Sequence, residues 1–197
     1  AADVQIQALG QDLNLALARA AAEERRRRLL EEEERKRLEA EAEDLQRYRS
    51  EFFGQLRDVL GAQEGVRIVG DRFVFSSEVL FEPAQAELAL EGQEEIAKVV
   101  DILQSVVSSI PSEIDWVLQV DGHTDNVPIR NSPIFANNWE LSQARALSVV
   151  LYMVNNLGVS PDRLSANGFG EFQPVALGDS PEARAQNRRI ELKFTEK

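Results

Sequence analysis

The sequence predicts an α/β (α+β) protein: a domain of strands and helices whose sheet is covered by helices, preceded by one long N-terminal α-helix. Three observations predict this fold class. Pro is absent from residues 1–60, where Ala, Leu, Glu and Arg dominate. Beyond residue 65, short segments of alternating hydrophobicity are interleaved with segments that repeat every three or four residues. The chain has 197 residues, 43% of them hydrophobic, which suffices for one domain and an additional segment. We therefore assign residues 1–61 to a helical stalk and residues 62–197 to the α/β domain.

The stalk carries apolar residues at spacings that suit contact with a second helix. Alternating intervals of three and four, the pattern of a coiled coil, join Ile6, Leu9, Leu13, Ala16 and Ala20. After a charged segment, the pattern resumes at intervals of seven with Leu38, Leu45, Phe52 and Val59. We therefore expect a coiled-coil homodimer through this helix, with Gly61 as its C-cap.

The charged segment, residues 23–37, consists almost entirely of Glu, Arg and Lys. A base follows Glu after four residues in the pairs Glu23/Arg27, Glu24/Arg28, Glu31/Arg35, Glu32/Lys36 and Glu33/Arg37. Each pair stabilises a helix by only about 0.2–0.5 kcal/mol, but several together keep a solvated helix straight. The segment is therefore either an ordinary solvated face or part of a stiff spacer, since about 60 helical residues would extend roughly 90 Å.

The domain begins with a predicted β-hairpin at residues 66–75, where two apolar segments flank a Gly-Asp turn. Residues 88–110 are predicted to form a helix, because their apolar side chains recur on one face, and Pro111 ends it. Residues 114–120 alternate strictly in hydrophobicity, which predicts a strand with one buried face.

A second helix is predicted at residues 138–157, with Asn138 as its N-cap and Gly158 at its end. The side chains expected to face inward are Leu141, Ala144, Leu147, Val150, Leu151 and Val154. Three shorter elements follow: a strand at 164–168, a helix at 181–188 and a strand at 189–195. Strands that alternate with helices predict parallel neighbours joined by helical crossovers.

Composition excludes several classes of function. Acidic residues outnumber basic ones by 34 to 22, so the chain is a poor candidate for binding the nucleic-acid backbone. It contains no Cys, which excludes disulfides and thiolate metal sites. No apolar stretch approaches about 18 residues, the length needed to span a membrane. Because the sequence begins with helix-forming residues at Ala1, we expect a membrane tether upstream of it.

The densest group of polar residues, 121–126, follows directly after the strand predicted to end at Val120. Asp121, His123 and Asp125 alternate and could be considered metal ligands. Against this, Gly122 indicates that the strand is ending, and the chain has no second His to complete a common zinc site. A Ser/His/Asp triad is equally poorly supported, because no Gly-x-Ser-x-Gly segment is present. We expect no metal, no cofactor and no catalytic residue, and a packing or hydrogen-bonding role for His123.

Charge pairing offers a different interpretation of the same region. Asp125 lies in the loop and Arg145 lies two turns into the following helix. Together they could hold a zwitterionic ligand, because a carboxylate binds an ammonium group and a guanidinium binds a carboxylate in bidentate fashion. Alternatively the two side chains could simply pair with each other. The residues alone leave both alternatives open.

Four segments in this region resemble the OmpA-like peptidoglycan-binding domain in their order and spacing. They are GHTD at 122–125, NWELSQARA at 138–146, GFGEFQP at 168–174 and NRRI at 187–190. The forms DNVPI at 125–129 and NWELS at 138–142 are most similar to the MotB branch of that family. The resemblance covers about residues 75–194. It implies a βαβαβ fold with a mixed sheet covered by helices, and non-covalent binding of peptidoglycan through the diaminopimelate of its stem peptide.

The resemblance also implies roles for individual residues. Asp125 and Arg145 would hold the zwitterionic end of diaminopimelate, which favours the first of the two alternatives above. Asn138 would organise the loop and the start of the helix, and Thr124 and Leu141 would line the pocket. Asn187 and Arg188 would support the pocket from the neighbouring segment, whereas Arg189 could point the other way.

The stalk departs from the MotB pattern, in which a transmembrane helix with a proton-accepting Asp precedes a short plug helix. We therefore expect an envelope protein of the periplasm, tethered to the inner membrane and anchored to the cell wall without enzymatic activity. Its partner would be the peptidoglycan stem peptide, and no nucleic acid. The alternatives are a fragment of a MotB stator subunit of the flagellar motor or, with less support, a metal-dependent hydrolase of cell-wall peptide.

Overall fold

The computed structural model describes residues 2–60, 66–108, 110, 115–130 and 132–196. In chain order the elements are α1 (Ala2–Leu60), β1 (Val66–Val69), β2 (Arg72–Ser76), α2 (Ser77–Leu80), α3 (Leu90–Val107), β3 (Trp116–His123), α4 (Asn138–Asn155), a 3₁₀ turn (Pro161–Arg163), β4 (Leu164–Gly168), α5 (Pro181–Asn187) and β5 (Arg189–Glu196). Gly61, Pro111 and Ile114, and the side chains of Ile6 and Val59, lie outside what the structure describes.

The chain divides into two compact units, Ala1–Asp44 and Leu45–Lys197. Within the first unit, the helix carries ion pairs of the predicted kind, such as Glu24–Arg28 at 2.9 Å and Glu32–Lys36 at 2.8 Å. The apolar side chains of Leu9 and Leu13 are exposed. The homodimer expected from their spacing stays a prediction.

The second unit contains the last part of α1, and its apolar face belongs to the core of that unit. Leu45, Tyr48, Phe52 and Phe53 are buried, and the ring centroids of Phe52 and Phe194 lie 5.7 Å apart. The prediction that Leu45 and Phe52 contact a partner helix is therefore wrong, because both pack within their own unit. The compact units divide between residues 44 and 45, whereas the predicted limit of 61/62 followed the end of the helix.

The sheet has the strand order β1-β2-β5-β3-β4. β3 and β4 are parallel, and every other neighbouring pair is antiparallel, which confirms the mixed sheet. The predicted hairpin is confirmed: Val69 pairs with Arg72 across a turn in which Gly70 has a φ of +61°. On β5 the side chains of Ile190, Leu192 and Phe194 are fully buried, as the alternation predicts.

Helix α4 lies against one face of the sheet at very short distance. A side chain at Gly122 of β3 would collide with the carbonyl oxygen of Ser142, and one at Gly168 of β4 would collide with the backbone of Gln143. Glycine at both positions therefore allows the helix to approach the sheet backbone closely. This contact fixes the start of α4 beside the loop that follows β3.

Three predicted details are wrong. β3 does not end near Gly122 but continues to His123, which pairs with Arg189 of β5, because the neighbouring strand supplies hydrogen bonds up to that point. The N-cap of α4 is Asn137, whose side chain accepts a hydrogen bond from the Glu140 N–H, rather than Asn138.

The inward face of α4 is also rotated from the predicted one. Leu147 and Leu151 are 43% and 47% exposed, whereas Ser142, Arg145 and Met153 are buried. The apolar periodicity predicted that these two leucines face inward, but the sheet does not cover them. Among the described residues, none of the helices combines the length and hydrophobicity that crossing a membrane requires.

Candidate functional site

The residues predicted to form a site come from three segments that the fold brings together. Thr124 and Asp125 lie in the loop after β3. Asn138, Leu141 and Arg145 lie on α4, and Asn187 and Arg188 lie at the junction of α5 and β5. All but Asp125 and Arg188 are buried, and those two are partly buried.

Asp125 forms an ion pair with Arg188. Its Oδ2 accepts a hydrogen bond of 2.6 Å from Arg188 Nη1, and its Oδ1 accepts one of 3.0 Å from the Val127 N–H. Arg188 also donates to the carboxylate of Glu78 on α2. Desolvation lowers the pKa of Arg188, but the hydrogen bonds to Glu78 and Asp125 outweigh it and raise that pKa overall. The guanidinium therefore holds the loop after β3 against the segment that follows β2.

Arg145 is almost completely buried but is only partly paired. Its Nε donates a hydrogen bond of 2.8 Å to the carbonyl of Gln85, and its guanidinium carbon lies 5.1 Å from the ring centroid of Phe81. Among the described residues, none forms an ion pair with Arg145 and none accepts a hydrogen bond from its Nη groups. Burial, together with the nearby charge of Arg188, lowers the pKa of Arg145 to about 10, against the opposing effect of Asp125.

The two arginines face a common hollow, which we call the cationic pocket. Its volume is about 340 Å³, and it is lined by Ser77, Glu78, Phe81, Glu82, Pro83, Ala84, Arg145 and Arg188. The hydroxyl of Ser77 is buried and has no hydrogen-bond partner among the described residues. The mutual pairing of Asp125 and Arg145 that the sequence left open is not what the structure has, because Arg188 pairs with Asp125 instead.

Sequence reasoning missed the segment 77–84 as a wall of the pocket. Its position follows from the pairing of β2 with β5, in which Ser76 lies opposite Arg189 and the Ser77 N–H donates to the Arg188 carbonyl at 2.9 Å. This long-range register carries no local signal in the sequence. A polar run directly after a strand, Ser-Ser-Glu, was the only indication available.

The remaining predicted residues support loops rather than line the cationic pocket. Asn138 Nδ2 donates to the carbonyls of Asp125 and Val127 at 3.3 and 3.1 Å and to Glu171 Oε2 at 2.6 Å. Asn187 Oδ1 accepts from the N–H groups of Val175 and Ala176 at 2.8 and 3.0 Å.

Thr124 and Leu141 lie close to that support. The Thr124 N–H donates to the carbonyl of Gly170 at 2.9 Å, and its hydroxyl donates to the Asp125 carbonyl at 3.0 Å. Leu141 is buried on α4. The lining of the cationic pocket that the structure describes includes neither of them.

Residues 80–188 match the OmpA family, and this range includes most of the cationic pocket. The chain belongs to the OmpA family. Its Motility protein B relative from Bacillus subtilis is 42% identical over 73 residues, which are 37% of this chain and 28% of that protein. Omp38 from Acinetobacter baumannii is 37% identical over 112 residues, or 57% of this chain and 28% of that protein. The OmpA-family chain thus spans well under two thirds of the length of these relatives.

Solved structures extend the likeness to the fold. A putative MotB-like protein from Desulfovibrio vulgaris superimposes with a TM-score of 0.68 at 27% identity, covering 80% of this chain and 96% of that chain. A structure described as the cell wall anchor of the T6SS from Pseudomonas aeruginosa has a TM-score of 0.59 at 30% identity, covering 75% of this chain and 96% of that chain. The long N-terminal helix and mixed sheet of this OmpA-family chain form an α+β fold like that of MotB and OmpA domains.

A second polar cluster lies on the other face of the sheet from α4. Glu191 accepts hydrogen bonds from Arg189 Nε, at 2.6 Å, and from Arg72. Arg189 also donates to the carbonyl of Gln173, so it points away from the cationic pocket and holds the loop after β4. The desolvated His123 ring stacks on Phe169 with centroids 5.1 Å apart.

The pKa of His123 bears on the metal site considered above. Burial, with the charge of Arg189 second, lowers that pKa to about 4, so the ring is neutral at physiological pH. Asp121 accepts hydrogen bonds from Gln119 and Asn167. Within the described ranges, no three side chains of the His, Cys, Asp and Glu types come together as a metal-binding group.

Proposed function

We propose that this OmpA-family chain binds peptidoglycan non-covalently through the diaminopimelate of the stem peptide and so anchors an envelope protein to the cell wall. The relatives support the wall as the target, since one of them is described as a cell wall anchor. The observation that carries the proposal is the state of Arg145: a buried guanidinium with one carbonyl partner, lining an open hollow.

A buried charge is stable only when it is paired, because desolvation costs several kcal/mol per ion. Few groups of the protein offset the desolvation of Arg145, and its pKa is lowered for that reason. A ligand carboxylate entering the cationic pocket would supply the missing partner. It could bind to Arg145 in bidentate fashion, the geometry that a planar guanidinium favours.

The ammonium group of a zwitterion could also be bound beside Arg145. Asp125 and Glu78 flank Arg188, and each carboxylate oxygen has a second lone pair after accepting one hydrogen bond. An ammonium group could therefore bind to Asp125 while the adjacent carboxylate binds to Arg145. Diaminopimelate carries these two groups on one carbon at the end of its side chain. No bond is made or broken in this recognition, so the proposed role is binding and not catalysis.

The proposed location is the periplasm, with an inner-membrane tether outside the sequence described and the α1 helix as the spacer. We further propose that α1 forms a homodimer. Two wall-binding domains on one assembly would gain affinity for a polymeric wall, because the second attachment is effectively intramolecular.

Co-sedimentation with purified sacculi tests the wall contact. The wild-type protein should pellet with sacculi, and Arg145→Ala and Asp125→Ala should stay in solution. Arg163→Ala is the matched control, since Arg163 also lies over an aromatic ring but does not line the cationic pocket. Continued pelleting of an Asp125→Ala/Arg145→Ala double variant would contradict the assignment of the pocket.

Calorimetry with two synthetic stem peptides tests the ligand group. Diaminopimelate and lysine differ at this position by the terminal carboxylate, so the lysine peptide should bind at least about 30-fold more weakly. Equal affinity for both peptides would show that the cationic pocket does not recognise that carboxylate.

A second candidate, a stator subunit of the flagellar motor, is favoured by the similarity to Motility protein B. Both candidates need the wall contact, so sacculus binding does not separate them. Deletion of the gene in its own bacterium does: a stator role requires loss of swimming, whereas an envelope anchor would leave swimming intact and change envelope integrity.

A further inference from the structure

Two large aromatic rings form a stack on the surface near the start of α4. Trp139, the second residue of α4, and Phe172, in the loop after β4, have ring centroids 5.2 Å apart and planes inclined by 24°. Trp139 is 49% exposed and Phe172 is 61% exposed. The fold gains little by leaving two aromatic rings in water, and an exposed apolar surface of this kind commonly marks a binding site.

The stack borders a small hollow of about 220 Å³ that combines apolar and polar groups. Ile129 contributes apolar surface and Glu171 a carboxylate. One oxygen of Glu171 accepts a hydrogen bond from Asn138, and the other accepts none from the part of the chain that the structure describes. The indole N–H of Trp139 likewise has no acceptor among the described residues. The hollow therefore presents π faces together with one free donor and one free acceptor.

These groups suit a sugar ring better than a purely apolar ligand. A pyranose has a face of C–H bonds, which packs against the electron-rich face of an aromatic ring, and an edge of hydroxyl or acetamido groups, which needs hydrogen bonds. An apolar protein segment would leave the Glu171 carboxylate and the indole N–H without partners, at a cost in desolvation.

The position of the stack connects it to the cationic pocket. Asn138, adjacent to Trp139, donates to the carbonyl of Asp125 and to Glu171. Gly170, two residues before Phe172, accepts a hydrogen bond from the Thr124 N–H. Hydrogen bonds therefore link the residues of the small hollow to the loop beside the cationic pocket. In peptidoglycan the stem peptide is covalently joined to an amino sugar.

We infer that Trp139 and Phe172 form a subsite for an N-acetylated amino sugar of the glycan strand, beside the pocket for the stem peptide. This inference rests on the proposed function, because the peptide is what would place the sugar at the stack. The protein would then recognise the junction of peptide and glycan rather than the peptide alone.

Calorimetry with two natural ligands tests the subsite on the full chain. One ligand is the stem peptide released from sacculi by an amidase, and the other is the same peptide still attached to its disaccharide, released by a muramidase. For the wild type, the disaccharide should increase affinity about tenfold. Trp139→Ala and Phe172→Ala should abolish this increase and change affinity for the free peptide less than about twofold, since exposed substitutions rarely perturb a fold. Leu177→Ala is the control for general loss of exposed apolar surface, as Leu177 is 89% exposed.

Fluorescence gives a second measurement, in which the Trp139 and Phe172 side chains are both retained. The chain has two tryptophans, and Trp116 is buried, so in a Trp116→Phe background the emission reports Trp139 alone. The disaccharide peptide should shift this emission and the free peptide should not.

The outcomes distinguish a failure of the proposed function from a failure of the sugar subsite. If the free stem peptide fails to bind to the wild type, the proposed function fails. If the free peptide binds but the disaccharide adds no affinity, or Trp139→Ala keeps the increase, the sugar subsite is overturned. Self-association that Trp139→Ala abolishes, without any effect of the disaccharide, would overturn it in favour of protein docking.

Discussion

Replacement of Arg145 by Met should weaken ligand binding and stabilise the fold at the same time. The decrease of the Arg145 pKa from its ordinary value to about 10 corresponds to an unfavourable free energy of up to about 3 kcal/mol for the charged form in the folded protein. This cost is present at every pH below about 10. Met removes the charge but keeps an apolar stem of similar length, and its sulfur can pack against Phe81.

Two losses offset part of this gain. The stacking of the guanidinium on Phe81 is worth about 0.5–2 kcal/mol. The hydrogen bond to the Gln85 carbonyl is also lost, but Gln85 is exposed and water can replace the donor. We therefore expect Arg145→Met to raise the free energy of unfolding by about 1 kcal/mol. Its affinity for the diaminopimelate peptide should fall at least about 30-fold.

Urea denaturation and calorimetry on the same samples measure both quantities. Arg163→Met is the matched control. The Arg163 guanidinium carbon also lies 5.1 Å from the centroid of an aromatic ring, that of Trp116, and its Nη1 donates a hydrogen bond to a backbone carbonyl. The control should lose stability and keep its affinity for the peptide. The reasoning is refuted if Arg145→Met unfolds more easily than the wild type by over about 1 kcal/mol, or if it retains peptide affinity.

Three further predictions concern the fold. The pKa of His123 is about 4 in the folded protein, below its ordinary 6.5, so its contribution to stability is complete above pH 6.5 and is lost as the pH falls towards 4. Between pH 7.5 and pH 5, the free energy of unfolding measured in urea should therefore decrease by about 2 kcal/mol less for His123→Phe than for the wild type. An equal decrease in both proteins would contradict this. Gly122→Ala should unfold at least about 2 kcal/mol more easily, because its methyl group would collide with backbone, whereas the helical Gly54→Ala has open space and should be neutral or stabilising. A fragment of residues 45–197 should keep the thermal midpoint of its domain. A fragment of residues 62–197 lacks the buried aromatic residues of α1, and its free energy of unfolding should be lower by more than about 4 kcal/mol. Similar stability of the two fragments would show that this packing is dispensable.

Local periodicity was enough to predict most elements of the fold. The hairpin around Gly70 and the alternation of Ile190, Leu192 and Phe194 are confirmed, because each depends on neighbours a few residues away. The apolar residues of α1 could not be assigned in the same way. Leu45 and Phe52 have the spacing of a coiled coil, but spacing alone does not say whether a second chain or the protein's own sheet covers them.

The candidate site shows the same limit. Asp125, Arg145 and Arg188 were all named from the sequence, and all three lie at or beside the cationic pocket. Which guanidinium pairs with Asp125 could not be predicted, because that depends on the register of β3 against β5, in which His123 lies opposite Arg189. The register of β2 against β5 brings Glu78 to Arg188 from 110 residues away, without any signal in the local sequence.

The ion pairs of Arg188 also bear on how long a wall contact would last. Arg188 is the C-cap of α5, a helix of only seven residues, and its side chain is shared between Glu78 and Asp125. Short helices open locally far more often than a whole domain unfolds. Each opening of α5 would withdraw the shared cation and free the loop after β3. Under the proposed function, the chain would therefore release the wall and rebind to it within the lifetime of its fold.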